Sequence, residues 1–440
     1  MNTPIHDFLQ SYAQSGTVRA HMPGHKGRIP LDITEIKGAD SLFEASGIIA
    51  ESEKNASDIF NSRETVYSCG GSTLCIQAML TPFAHGTAAA GRNAHRAFIN
   101  ACIMLDIRVK WIYPDDSTFV SGDISADAVR RAVTEGEPPS LVYITSPDYL
   151  GHIADIDGIA AVCRENGIPL AVDNAHGAYL RFVCGNDGKP LHPLFHGADI
   201  CCDSAHKTLP VLTGGAYLHT SRESRFSFGD LKQNMALFGS SSPSYLIMDS
   251  LDMCNVFMDD VLSGRSDPFG ALAKRSTVLK ASLRKAGFTL TGSECGKLTV
   301  YAPDSGYTGN ELADMLRARG IECEYSDSVN TVLMLTGLTT EELGAVQAAF
   351  EDIPMKKPFA PDIFRIKIHT AATDLRTAFF SPCEVIPTKS AAGRICARAV
   401  TACPPGVAVT VGGEIFLKED IPLLLSQGTE TVYAVKTAAI

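Results

Sequence analysis

Ala198-Asp-Ile-Cys-Cys-Asp-Ser-Ala-His-Lys-Thr208 opens as a short buried strand and breaks into polar residues at Asp203. Two earlier runs behave alike. Leu141-Val-Tyr-Ile-Thr145 stops at Ser146-Pro147, and Pro169 to Val172 ends at Asp173. Between these two, Ile156 to Asn166 spaces Ile159, Val162 and Cys163 as a helix does, and Gly167 closes it. Apolar runs alternating with amphipathic helices predict an α/β domain built on a mostly parallel sheet. Such sheets gather ligands at the carboxyl ends of their strands. The residues just past each run are therefore where chemistry is expected.

Outward from this core the texture changes. The first 60 or so residues read as irregular, with a Gly/Pro-rich patch from His21 to Pro30. Ser244 to Met258 reads as a long, largely buried helix, followed by a break from Ser263 to Pro268. Beyond it come a basic helix (Ala271 to Ala286), a strand (Lys297 to Ala302), a helix (Thr339 to Phe350) and an apolar run (Val407 to Val411), an α+β pattern. The expected organisation is an N-terminal segment over 1–65, a major domain over 66–270 and a smaller C-terminal α+β domain over 271–440.

A formal charge of -11 and the lack of any Lys/Arg run argue against a nucleic-acid partner. No stretch approaches the about 18 apolar residues of a membrane helix, and Met1 to Gln14 lacks a signal-peptide pattern. Thirteen cysteines, an odd number without CxxC pairs, fit a reducing cytoplasm better than a disulfide framework or a zinc site, and no metal is expected. Cys201 and Cys202 read as buried thiols.

Lys207, in Asp203-Ser-Ala-His-Lys-Thr208, would stand at the mouth of the sheet. There its amine could form an imine with an aldehyde cofactor. Asp173, 34 residues earlier and also at a strand end, is the right type to stabilise the protonated pyridine of pyridoxal phosphate (PLP). Ser68-Cys-Gly-Gly-Ser-Thr73 precedes a helical run, so Gly71, Ser72 and Thr73 could cradle a phosphate; the absence of a following GKS/T excludes a Walker A loop. His95, after the next candidate strand, could stack on the pyridine. Each has a plainer reading taken alone: a loop lysine, a capping aspartate, an ordinary helix start, a surface histidine in a basic patch. Their joint occurrence, each at a strand end, favours the cofactor.

The set resembles the Orn/Lys/Arg decarboxylases of PLP fold type I, in a short form without the N-terminal regulatory domain. His21-Met-Pro-Gly-His-Lys-Gly-Arg28 looks like their PGHKG signature. Tyr143 to Gly151, Val172 to Leu180 and Asp203 to Pro210 resemble successive blocks of their major domain. Ser242-Pro-Ser-Tyr-Leu246, Cys403-Pro-Pro-Gly406 and Gly413-Glu414 resemble later ones, so the likeness runs from about residue 5 to about 435.

This resemblance implies the aspartate-aminotransferase-like fold, with Lys207 as the cofactor lysine, Asp173 on the pyridine nitrogen and His95 stacked on the ring. Gly71, Ser72, Thr73, Ser204 and His206 would hold the phosphate, and Ala175 would lie against the opposite ring face with His176 beside it. It also implies a homodimer or higher even assembly, with Ser242 or Ser244 reaching a partner's phosphate. Asn174 departs from the acidic residue many relatives carry there.

The expected activity is decarboxylation of arginine, lysine or ornithine to CO2 and a polyamine-type amine, with Lys207 or His206 returning a proton to Cα. Asp148, Glu414, Asp40 and Glu44 are candidate partners for the substrate's distal cation, and each also reads as a surface acid. An aminotransferase or other lyase on the same scaffold is the alternative, with Arg376, Arg394 or Arg398 free to bind a carboxylate. A non-catalytic PLP-binding relative is a third.

Overall fold

The structure, a computed structural model, describes residues 1–114, 122–362, 365, 367–401 and 406–436. In chain order come helices α1 (Pro4–Gln14) and α2 (Ile48–Phe60), strand β1 (Ser62–Ser68), α3 (Gly71–Leu80), β2 (Thr87–Gly91), α4 (Arg96–Leu105) and β3 (Arg108–Ile112). Then follow α5 (Ala126–Thr134), β4 (Leu141–Thr145), α6 (Ile156–Asn166), β5 (Leu170–Asp173), β6 (Ile200–Asp203), α7 (Ala205–Thr208), β7 (Ala216–Ser221), α8 (Leu231–Ala236), α9 (Tyr245–Leu262) and α10 (Pro268–Lys285). The chain divides into two compact units, Met1–Pro82 with Pro169–Ala271, and Phe83–Ile168 with Leu272–Ile440.

In the first unit β1 pairs antiparallel with β7, β7 antiparallel with β6, and β6 parallel with β5. Only β7 of these four opposes the rest, so β1, β5 and β6 end at the same edge. β5 and β6 are buried on both faces, as their unbroken apolar sequence requires. Register pairs Asp173 with Cys202, and Asp203 with Tyr217.

The expectation of an irregular N-terminal segment holds for the His21 to Pro30 patch but is overturned at both ends by α1 and α2. The inner face of α2 carries Ile49, Ser52, Glu53, Ala56, Ile59 and Phe60 at helical spacing. Two polar residues interrupt that stripe, which hides its period. Ser52 accepts this burial by bonding Tyr67 and Asp252 hydroxyl-to-oxygen, and Glu53 takes the Tyr67 N–H and the Lys232 ammonium. Thr3 offers no side-chain cap to α1. Instead Asp252, on α9, accepts the N–H groups of Ile5 and His6 at 2.9 and 3.0 Å. The helix start is thus capped from a residue that no local pattern could name.

In the second unit β2 lies between β3 and β4, parallel to both. α6 starts on Asp155, which accepts the Gly158 N–H, and ends at Gly167 with φ +68°. Strands β8 (Thr289–Thr291), β9 (Lys297–Tyr301), β10 (Tyr325–Ser326) and β11 (Asn330–Met334) form an antiparallel sheet in the order β10-β11-β9-β8. Leu279, Leu298, Val300, Leu312 and Phe350 lie in the core beneath it. No helix among the described residues is long and apolar enough to cross a membrane.

Asp252→Ala strands two first-turn N–H donors and a buried hydroxyl. It is expected to cost about 2–3 kcal/mol, read as a lowered thermal midpoint. An unchanged midpoint would mean that Thr3 or solvent supplies the cap.

Candidate active site

Three strand ends of the first unit carry the groups singled out above. β1 leads through Ser68 and Cys69 to α3, whose N-cap is Gly70 and whose start has no side-chain cap. Gly71, at φ +66°, donates its N–H to Gly214 O at 2.8 Å. Ser204, past β6, donates its hydroxyl to Ser72 Oγ at 2.8 Å. Two hydroxyls thus meet at an uncapped helix start, which suits an anion. Thr73 is exposed beside them. Cys69 lies 3.6 Å from Ser244 O, so Ser244 borders this loop within its own chain.

Asp173 ends β5 and is buried, with the Ala175 N–H donating to its Oδ1 at 3.2 Å and the Cys202 thiol at 3.7 Å. Lys207 sits in the short helix α7, half-buried, and its Nζ lies 3.0 Å from His176 Nε2. The Asp173 and Ser204 turns therefore touch through the side chains of His176 and Lys207. His206 precedes Lys207 in α7 and is half-buried. Its Nδ1 is 3.0 Å from Gly215 O, and because a carbonyl can only accept, that nitrogen carries the ring proton. Burial, with Lys207 nearby, pushes the imidazole pKa below its ordinary value.

These residues fit PLP. The uncapped α3 start with Ser72 and Ser204 matches a phosphate. A carboxylate buried one strand away matches a pyridinium, and an amine at the sheet mouth matches the aldehyde.

The second unit holds His95, Asp148 and Glu414. His95 caps α4, its Nδ1 accepting the Ala97 N–H at 3.1 Å, and it is half-buried. Gly406 lies against it, bridging backbone to backbone through Val407 and accepting the Arg96 N–H. Cys403 to Pro405 of that block lie outside the described residues. Arg92 is not part of a basic surface patch. It is buried, donating to Ala408 O, Val409 O and Glu414 Oε2, the last at 3.1 Å. Glu414 also accepts the Val411 N–H.

Asp148 is buried too. It accepts the N–H groups of Leu150 and His152, and its Oδ2 lies 3.0 Å from His152 Nδ1. In the first unit Asp40 accepts the N–H groups of Ser41, Ser46, Gly47 and Ile49. Burial would raise its pKa, but these bonds hold it below the usual carboxylate value. Glu44 is exposed on a short 3-10 turn.

Arg376 donates to Ile103 O and Met104 O, Arg394 to Glu384 and Val435 O, and Arg398 stacks over Phe379 and Tyr433.

A model of the Orn/Lys/Arg decarboxylase major domain matches residues 28–286. The chain belongs to the Orn/Lys/Arg decarboxylase family. Among full-length relatives of this family member, the uncharacterized protein YaaO of Bacillus subtilis (strain 168) is 28% identical, with 96% of this chain and 94% of that protein covered. The arginine decarboxylase of the same strain is 27% identical over 95% of this chain and 92% of the relative. The Francisella novicida lysine decarboxylase LdcF superimposes with a TM-score of 0.80 at 15% identity, covering 99% of this chain and 81% of that one. That likeness shows the fold, and with it the α/β, mostly parallel architecture of PLP fold type I.

Sequence reading of this family member missed three things. It missed Asp203 and the histidines around it, although Asp203 was in the quoted block. It missed the Arg92–Glu414 pair, because 322 residues separate the partners. It missed that Gly406 approaches His95.

Gly406 has φ +73°, and a Cβ there would stand 2.5 Å from His95 Nε2. Gly406→Ala should cost about 1–2 kcal/mol in backbone strain alone and displace the ring, lowering the thermal midpoint. A midpoint equal to the parent's would show that the loop yields. The Asp148 bond, opposed by burial, raises the His152 pKa above 6.5. This pair therefore stabilises fully below pH 6.5 and loses its contribution as pH rises through the folded value. His152→Gln should flatten that part of the stability–pH curve; an unaltered slope would refute the pairing.

Proposed function

We propose that the chain is a PLP-dependent decarboxylase of a basic amino acid, releasing CO2 and an amine. The observation that carries the reading is the placement of Lys207, Asp173 and the Ser72–Ser204 hydroxyl pair on three strand ends of one unit, in a chain of this family. When bound, PLP supplies an aldehyde and a protonated pyridine that accepts the electron pair left behind as a carboxylate departs.

The chain's own residues supply position and charge. Ser72, Thr73, Ser204 and the α3 N–H groups would hold the phosphate. Asp173 would keep a proton on the pyridine nitrogen. Ala175, small and on the same turn as Asp173, would leave room on one ring face. Lys207 would supply the amine that holds the aldehyde.

His176 Nε2, 3.0 Å from Lys207 Nζ, is placed to hold a proton on that amine or take one from it. His206 has its proton committed to Gly215 O and a lowered pKa, so Lys207 is the better donor to Cα. Asp40, Asp148 and Glu414 already accept backbone N–H groups, which leaves exposed Glu44, brought from a neighbouring copy, as our candidate for the distal cation. Commitment of Arg376 and Arg394 to carbonyl oxygens of the chain weighs against the aminotransferase alternative.

The major/minor domain division at about residue 270, a homodimer and a cytoplasmic location complete the reading. The twelve described cysteines, all free thiols, support a reducing compartment.

Purified chain incubated with PLP and arginine, lysine or ornithine should release CO2 and amine from one of them and no keto acid. Lys207→Ala should lose the borohydride-fixed cofactor and slow turnover by roughly 10³-fold or more. Keto acid in place of CO2 would identify an aminotransferase, and cofactor fixed in the alanine variant would refute Lys207.

A further inference from the structure

Behind the strand ends lies a polar cluster that the proposed reaction does not use. Asp203, His192 and His219 are each fully buried. Side chains alternate along a strand, so Cys202 shares a face with Asp173, while Cys201 and Asp203 face the other way. His192 Nδ1 accepts the Leu194 N–H, which leaves the proton on Nε2, 3.0 Å from Asp203 Oδ2. His219 Nε2 approaches the same oxygen at 3.3 Å, and its Nδ1 meets Thr65 Oγ1 at 2.8 Å. The other oxygen, Oδ1, accepts from Asn174 Nδ2 at 2.7 Å.

Burial would raise the Asp203 pKa, but the two imidazoles hold it well below the usual carboxylate range. The carboxylate is ionised and its acceptors are used. A charge buried this deeply persists only with such partners.

The arrangement joins two turns. Asn174 follows Asp173 and precedes Ala175 and His176. Asp203 precedes Ser204 and stands four residues before Lys207. The backbone adds a second tie, Asn174 N–H to Cys202 O at 3.0 Å. On the far side of the same two turns His176 meets Lys207.

His192, Cys201 and Asp203 also offer metal-ligand atoms within 4.8 Å of one another. Their chemistry points to hydrogen bonding instead. The His192 nitrogen that faces Asp203 carries a proton, and burial pushes the Cys201 thiol pKa well up, keeping it protonated.

We propose that Asp203 is a positioning residue: held from behind by His192 and His219, its carboxylate clips the Asp173 turn to the Lys207 turn through Asn174 and so sets the His176–Lys207 contact. This role rests on the PLP reading above. Asn174 is the donor that a carboxylate at position 203 requires. A second carboxylate at 174 would repel it.

The test uses the full chain with Asn174→Ala, or Asn174→Ser should the alanine variant fail to fold. Three quantities are read: the thermal midpoint without cofactor, the Kd for PLP, and the pH dependence of the visible absorbance of the loaded protein. We expect a folded protein whose PLP Kd rises about tenfold, as loss of one bond to a charged group would give, and whose absorbance titrates about one pH unit away from the parent. The double variant Asn174→Asp with Asp203→Asn restores a donor–acceptor clip with its sense reversed and should recover most of both changes.

A midpoint that falls while Kd and titration stay at parent values would overturn the proposal, leaving a merely structural cluster. So would a folded double variant without recovery, or a stoichiometric metal in the parent by elemental analysis. A parent that takes up no PLP has no visible band to titrate. That outcome defeats the cofactor reading itself, and the positioning role falls with it.

Discussion

Side-chain alternation along β5 and β6 sorts the polar groups of the first unit into two populations. Asp173 and Cys202 face one side of these strands, and Cys201 and Asp203 the other. Both aspartates end their strands, and both are buried, yet their partners differ because one residue separates their parities. Asp173 accepts the Ala175 N–H and meets the Cys202 thiol. Asp203 is consumed by Asn174 and two histidines. A register slip of one residue in either strand would exchange the faces and abolish both arrangements at once. Because the preceding residues are apolar on both faces, they do not discriminate between registers; the partners of the strand-end aspartates do.

Much of this was readable in advance, for a physical reason. Apolar runs that end abruptly in Asp, Ser or Pro are strand ends, and the structure places β4, β5 and β6 within two residues of the boundaries read from sequence. The α6 helix carries its start and stop signals locally, in Asp155 and Gly167, and its bounds agree with the sequence reading. α1 and α2 escaped because their signals are not local. The inner stripe of α2 includes Ser52 and Glu53, whose partners Tyr67, Asp252 and Lys232 are distant in sequence. A periodicity rule that counts apolar residues reads such positions as outward-facing. The segment from Ser68 to Thr73, by contrast, carries its glycines and hydroxyls in one short stretch and is legible locally.

The acids show the same division. Composition marks Asp40, Asp148 and Glu414 as charges that could meet a cationic substrate. Coordinates show three carboxylates occupied by backbone N–H groups of the chain itself. Arg92 is instructive for the opposite sign. It directly follows β2 and stands three residues before His95, in what reads as a basic patch. Its guanidinium instead ties β2 to the 408–414 segment through two carbonyls and Glu414. Replacing either partner of such a desolvated pair leaves the other charge buried alone.

The cap on α1 has a consequence for how the chain is made. Its acceptor, Asp252, lies 247 residues downstream of Ile5. At ribosomal rates of about 5–20 residues per second, the first helix emerges roughly 10–50 s before the residue that satisfies its leading amides exists. During that interval the apolar face of α1, with Ile5 and Leu9, has neither its cap nor α9 to pack against. The nascent chain thus carries an unfinished N-terminus through more than half of its synthesis.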